Sequence, residues 1–147
     1  MIDGIDVFKA TFFPLYPFHI QIHSFFLNKI LKATESRTTL VHFHSPLVPP
    51  VRTTLPTIVT VHTPMKVDAR YHESNNLYLL AEKMQSLILY PRIELKLFRS
   101  SRKMTAVCHS VAQELAEYGI DPKEVKVLGN GVDEKFFSPP KNWKRSG

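Results

Sequence analysis

A single cysteine, Cys108, stands in a chain of 147 residues, so no internal disulfide can form and stability must come from packing and polar contacts. Long hydrophobic runs are lacking too: nothing approaches the roughly 18 uncharged apolar residues that a bilayer-spanning helix requires. The N-terminus carries Asp3 and Asp6 and has no basic start ahead of an unbroken apolar block, so it does not read as a signal peptide. Glycine is scarce, at five residues, and neither G-x-x-x-x-G-K-[ST] nor G-x-G-x-x-G occurs, which leaves no familiar backbone cradle for phosphate. Internal repeats and low-complexity tracts are absent as well. These absences together suggest a cytoplasmic globular protein.

What is present fits one domain. Hydrophobic residues make up 44% and charged residues 22%, the balance of an ordinary folded chain. A chain this long buries about 68–70% of its unfolded surface. The formal charge of +6 points to an anionic partner: a phosphorylated substrate, an acidic membrane surface or a nucleic acid. Basic residues gather at Lys96, Arg99, Arg102 and Lys103, and again at Lys141, Lys144 and Arg145. The first group has few interleaved aromatics and no nucleic-acid motif accompanies it, so no nucleic-acid partner is expected. Solvated helix ends account for such runs first, and an anionic acceptor or membrane surface next.

Four short segments read as nearly continuous apolar strands, Leu40 to His44, Thr57 to His62, Lys103 to Cys108 and Glu124 to Leu128, with Ile5 to Thr11 as a less regular edge strand. Such runs suit a parallel sheet with helices on both faces. Between them, helical patterns cover Phe18 to Thr34, Asn76 to Ser100 with a break expected at Pro91, and Val111 to Tyr118. Ser110 with Gln113 forms a candidate capping box for the last of these, and Gly119 marks its end. Alternation of this kind implies right-handed βαβ crossovers and an α/β, Rossmann-like, mostly parallel sheet. The domain is expected over residues 1–140, followed by a tail at 141–147.

Ligands of open α/β sheets bind beyond the carboxyl ends of the strands. There the sequence places His44-Ser45, His62-Thr63, Cys108-His109-Ser110 and Gly129-Asn130-Gly131. Imidazoles and small polar groups on four strands make a candidate site for a polar ligand. Three histidines could also mean metal, with Asp68, Glu73 and Asp133 the nearest carboxylates, but no helical His-x-x-x-His pair supports it and no metal is expected. His42 is expected on the opposite side of its strand from His44, as a core histidine. Cys108 beside His109 does not read as a hydrolase pair, because adjacent strand residues face opposite ways, so a buried, inert thiol is expected. The Gly-Asn-Gly turn reads as one needing positive φ.

Several of these motifs, in order, resemble one family. Leu40-Val41-His42-Phe43-His44, Val59-Thr60-Val61-His62-Thr63, Thr105-Ala106-Val107-Cys108-His109-Ser110, Asn130-Gly131-Val132-Asp133 and Phe137-x-Pro139 resemble the N-terminal, acceptor-side domain of a family 4-type glycosyltransferase. The resemblance runs from about Ile5 to Pro139. It implies one half of the two-domain glycosyltransferase B architecture, retention of the donated sugar's configuration and no metal or other cofactor. It also implies that His62 is catalytic, touching the acceptor or transferred sugar near the reacting centre. His44, Ser45, Thr63, Lys66, His109 and Ser110 would bind the acceptor, and Asn130, Gly131 and Asp133 would border the interdomain cleft.

The chain departs from the family in three ways. The family's opening strand and Gly-rich loop, and its donor domain, have no counterpart in these residues, and Cys108 stands where serine is usual. The expectation is therefore an acceptor-side half, inactive alone. The sugar-nucleotide donor would be met only through an absent domain, and the acceptor would be a glycan or a lipid phosphate. The open sheet would invite a homodimer or a complementary chain. The alternative is a non-catalytic module binding an anionic glycan or lipid phosphate at the same site. Phe18 to Thr34, with Lys29 and Lys32 on one side, also allows a peripheral membrane contact.

Overall fold

The computed structural model describes residues 5–45, 48–71 and 76–133. Phe137 and Pro139 of the exit motif, the 141–147 tail with its basic cluster, and Glu73 lie outside them. Four strands form one sheet: β1 (Val41–Ser45), β2 (Thr57–Val61), β3 (Lys103–Ala106) and β4 (Lys126–Val127). Each falls within a residue or two of its expected place, and in β2 all five residues, Thr57, Ile58, Val59, Thr60 and Val61, are β-branched and favour a pleated backbone over a helix. Ile5 to Thr11 forms no strand, only an isolated bridge at Ile5.

All three pairings are parallel, and strand order follows chain order, β1-β2-β3-β4. That order decides where the helices go. Right-handed crossovers that always advance in one direction put every crossover helix on the same side of the sheet. The two here are α3 (Leu77–Ser100), joining β2 to β3, and α4 (His109–Glu114), joining β3 to β4. Both pack onto the face bearing Val59, Val61 and Ala106, where Phe98, Val111 and Leu115 complete the main core. The fold is the expected Rossmann-like α/β sheet. Among the described residues, however, its other face carries no packed helix: His42, His44, Lys103 and Lys126 are exposed there.

The longest helix departs from expectation at Pro91, which lies inside α3 without breaking it. Proline costs a helix roughly 3 kcal/mol through its lost N–H and its clash with the preceding turn. Here Ser86, Tyr90, Glu94 and Phe98 recur at four-residue spacing and are all buried, so packing holds both halves of the helix. The turn that loses its bond carries Leu87 and Ile88, both outward-facing, where water can serve the freed carbonyl. Asn76 caps the start of the helix, its side chain accepting from the Leu79 amide at 2.9 Å.

The capping box at Ser110 does not form. Cys108 is the N-cap of α4, without a side-chain cap, because the strand already ends at Ala106 and the helix begins earlier than the pattern suggests. A 3-10 turn (Leu115–Tyr118) follows, closed by Gly119 at φ 72°, the left-handed residue expected at that end. A short helix missed by sequence reasoning, α2 (Met65–Asp68), leaves the end of β2. Its Met65 joins Ile20 and Tyr90 in a second, smaller core that seats α1 (His19–Thr34) against α3.

Candidate functional site

Two imidazoles meet at the carboxyl end of the sheet. His44, on β1, lies with Nδ1 3.2 Å from Nε2 of His62, which directly follows β2. The backbone beneath fixes this approach: the His62 amide donates to the Ser45 carbonyl at 3.3 Å, continuing the β1–β2 ladder past the last strand residue. A bond between two imidazoles needs an unprotonated nitrogen on one of them. The pair can therefore hold one proton between two rings and offer the remaining nitrogens to a hydroxyl or an oxyanion.

His42 stands on the same side as His44, not the opposite one, with ring centroids 4.4 Å apart. Strand side chains alternate with period two, so residues 42 and 44 must share a face. Its Nε2 lies 2.8 Å from Thr60 Oγ1, which is 2.7 Å from Thr105 Oγ1. A polar ladder thus crosses three strands on the open face. Partial burial, and then the neighbouring His44, lower the His42 pKa from its usual value.

The remaining candidates divide. Ser45 is buried beneath the strand end and donates to Glu94 Oε1 at 2.9 Å, so its hydroxyl is committed inward. Thr63 is exposed beside His62. Lys66 is the second residue of α2, but its ammonium turns to the Glu117 carbonyl at 2.8 Å and lies over the Tyr118 ring, engaged with the 3-10 turn rather than with the histidines. His109 and Ser110 are exposed on the first turn of α4. Cys108 is exposed, not buried, since it has left the sheet for the helix start. The Ser110 hydroxyl, 3.1 Å away, helps hold its thiol pKa below the usual range.

Asn130, Gly131 and Asp133 are exposed at the end of the described chain. They follow Leu128, whose amide donates to the Ala106 carbonyl at the end of β3 at 2.8 Å. Neither Gly129 nor Gly131 has positive φ; among the described glycines only Gly119 does. No group of three or more His, Cys, Asp or Glu side chains among the described residues is placed to hold a metal ion.

One residue beneath this edge was not anticipated. Glu94, in the middle of α3, is 1% exposed and gathers three elements at the strand ends. Its Oε1 accepts from Ser45; its Oε2 accepts from the Met65 amide at 2.9 Å and the Tyr118 hydroxyl at 2.6 Å. Tyr118 in turn accepts from the Lys66 amide at 2.9 Å. Burial, and the bond donated to Glu94, push the Tyr118 pKa well above its usual value, so the phenol keeps its proton and remains a donor. The loop carrying His62 and Thr63 is therefore clamped from below at Ser45 and Met65. Sequence reasoning had a signal for it: a lone carboxylate at the four-residue spacing of a buried helical stripe.

The arrangement is a rigid, polar, open edge with a histidine pair at its centre. A protein-family model described as Glycosyltransferase Family 4 matches residues 3–136. No curated protein matches the chain.

Proposed function

Because the chain belongs to glycosyltransferase family 4, we propose that it forms the acceptor side of a sugar-transfer site, with the histidine pair at the reacting centre. The reaction is hexosyl transfer from a sugar nucleotide to a glycan or lipid-linked acceptor, with retention at the anomeric carbon and without a metal. The observation that carries this reading is the 3.2 Å approach of His44 to His62 at the carboxyl edge of the sheet. His62 contacts the acceptor or transferred sugar and stabilises charge as the glycosidic bond breaks, while His44 orients its ring. Thr63, His109 and Ser110 supply neighbouring hydroxyl and imidazole contacts.

The sugar nucleotide is held by a second domain, on this polypeptide or another, which closes over the edge and excludes water. Assayed as these 147 residues alone, the protein is expected not to transfer. Asn130, Gly131 and Asp133 line the approach of that second domain. Two further contacts belong to the proposal. Strand β1 is paired only with β2 among the described residues, which leaves an edge for a second copy or a complementary chain. Phe25, 66% exposed on α1, shares a side with the exposed Lys29 and Lys32 and suits a cytoplasmic protein that touches an anionic membrane surface. No helix among the described residues is long and apolar enough to cross a membrane.

The test is a transfer assay with labelled sugar nucleotides and glycan or polyprenyl-phosphate acceptors, with and without an added donor-type domain. Transfer should require the added domain and should fall about a hundredfold or more in His62→Ala. Full transfer by His62→Ala would sink the catalytic assignment. The openness of the strand ends favours a second reading, a non-catalytic module that binds an anionic glycan or lipid phosphate there. Saturable acceptor binding, with no transfer under any pairing, would select it.

A further inference from the structure

Parallel neighbours are usually joined by a crossover that carries a helix over the sheet. The connection from β1 to β2 does not: its described part, residues 48–56, contains neither helix nor strand. It is nonetheless held in place. Asn28 of α1 donates to the Pro50 carbonyl at 3.0 Å and accepts from the Arg52 amide at 2.7 Å. Ser24 donates to the same carbonyl. Pinned from outside by α1, the segment stands off the sheet where a helix would otherwise fill the layer.

The result is a cavity of about 850 Å³ between this segment, the core face of β1, the start of β2 and the second half of α3. Its apolar lining includes Phe43, Val48, Leu55, Ile93 and Leu97, and its cations are Arg52, Arg92 and Lys96. Voids in packed interiors seldom exceed a water molecule, whereas small-molecule sites span about 300–1,000 Å³. Among the described residues, none of the three cations is in an ion pair. The lining has one carboxylate, Glu35, which accepts from Thr54 at the limit of hydrogen-bond range. The acid nearest along α3, Glu94, is already committed to Ser45, Met65 and Tyr118. The cavity thus sets apolar side chains beside three exposed cations that have no ion pair among the described residues.

We propose that this cavity binds a single-chain amphipathic anion, its hydrocarbon against Phe43, Ile93 and Leu97 and its phosphate or carboxylate head against Arg52, Arg92 and Lys96. The proposal does not rest on the transfer reading, since none of the strand-end histidines lines the cavity. It also gives the cationic stretch of α3 an occupant.

Isothermal titration calorimetry tests it on the full chain, below micelle concentrations, with decyl phosphate, decanoate, decanol and inorganic phosphate as probes. Saturable binding of one equivalent of either amphipathic anion is expected, about tenfold or more tighter than decanol, with no measurable binding of inorganic phosphate. Whichever anion binds more tightly identifies the head group. Arg92→Glu combined with Lys96→Glu should weaken the anion about tenfold or more at unchanged thermal stability. Val51→Trp, which fills the chamber from its outer wall, should abolish binding of both anions and of decanol. Equal affinity for decanol would reduce the cavity to an apolar gap and overturn the proposal. So would inorganic phosphate binding as well as decyl phosphate, or anion binding that survives both sets of substitutions.

Discussion

The two faces of one sheet have opposite fates in this protein. On one, Val59, Val61 and Ala106 are fully buried under α3 and α4. On the other, His42, Thr60 and Thr105 form a hydrogen-bonded row with His44 and His62 beside it. The cause is topological. Strand order that follows chain order sends both helical crossovers to the same side. Composition agrees along β1, where Val41 and Phe43 alternate with His42 and His44 as they would in a sheet covered on one face. One face therefore carries the core, and the other exposes the polar row and the histidine pair.

The sharpest test of that division is Glu94, which lies on the packed side but serves the strand ends. Glu94→Ala removes the acceptor for two buried donors and for the Met65 amide, and should cost about 3–5 kcal/mol in urea denaturation. Glu94→Gln, which can still accept from Met65 and Tyr118 while donating to Ser45, should keep most of the stability. If Glu94→Ala cost less than about 1 kcal/mol, the clamp beneath His62 would have no energetic weight. Next comes Leu115→Ala, fully buried in the main core, expected at about 2–5 kcal/mol by the same measurement. Thr60→Val, on the open face, keeps the volume and removes the middle of the polar row. It should cost about 1 kcal/mol or less, since water can replace both partners. A larger loss there would mean that the second face is more deeply covered than its exposed histidines indicate.

Much of this was legible beforehand, and the reasons differ by element. The strands were found because short, largely apolar segments bounded by polar or proline breaks have few alternatives. The meeting of His44 and His62 followed from placing strand ends at one edge. What was missed depends on geometry that pattern reading handles poorly. The four strands were read as apolar on both sides, although Val41-His42-Phe43-His44 alternates. Pro91 was read as a break because propensity, not packing, was weighed. Cys108 and Ser110 were misplaced by the short distance that separates a strand end from a helix start. Glu94 was hidden as one of two acids on a long helix, Glu82 being the other. Only its position between Tyr90 and Phe98 on the buried stripe gives it away.

The smallest expected effect is on the open face and depends on pH. His42 has its pKa lowered by partial burial and by the neighbouring His44, with Thr60 its hydrogen-bond partner. In the unfolded chain its imidazole titrates near its usual value of about 6.5. As pH falls through about 6.5 the unfolded state therefore takes up the proton first, and folding loses what the neutral ring contributed. Above that pH both states hold a neutral ring and the contribution is complete. The melting temperature should thus decline as pH drops from about 7 toward 5, and His42→Asn should flatten that decline. A variant whose profile ran parallel to the parent would show that the fall originates elsewhere. The bond from His42 to Thr60 would then have no share in the acid sensitivity of the fold.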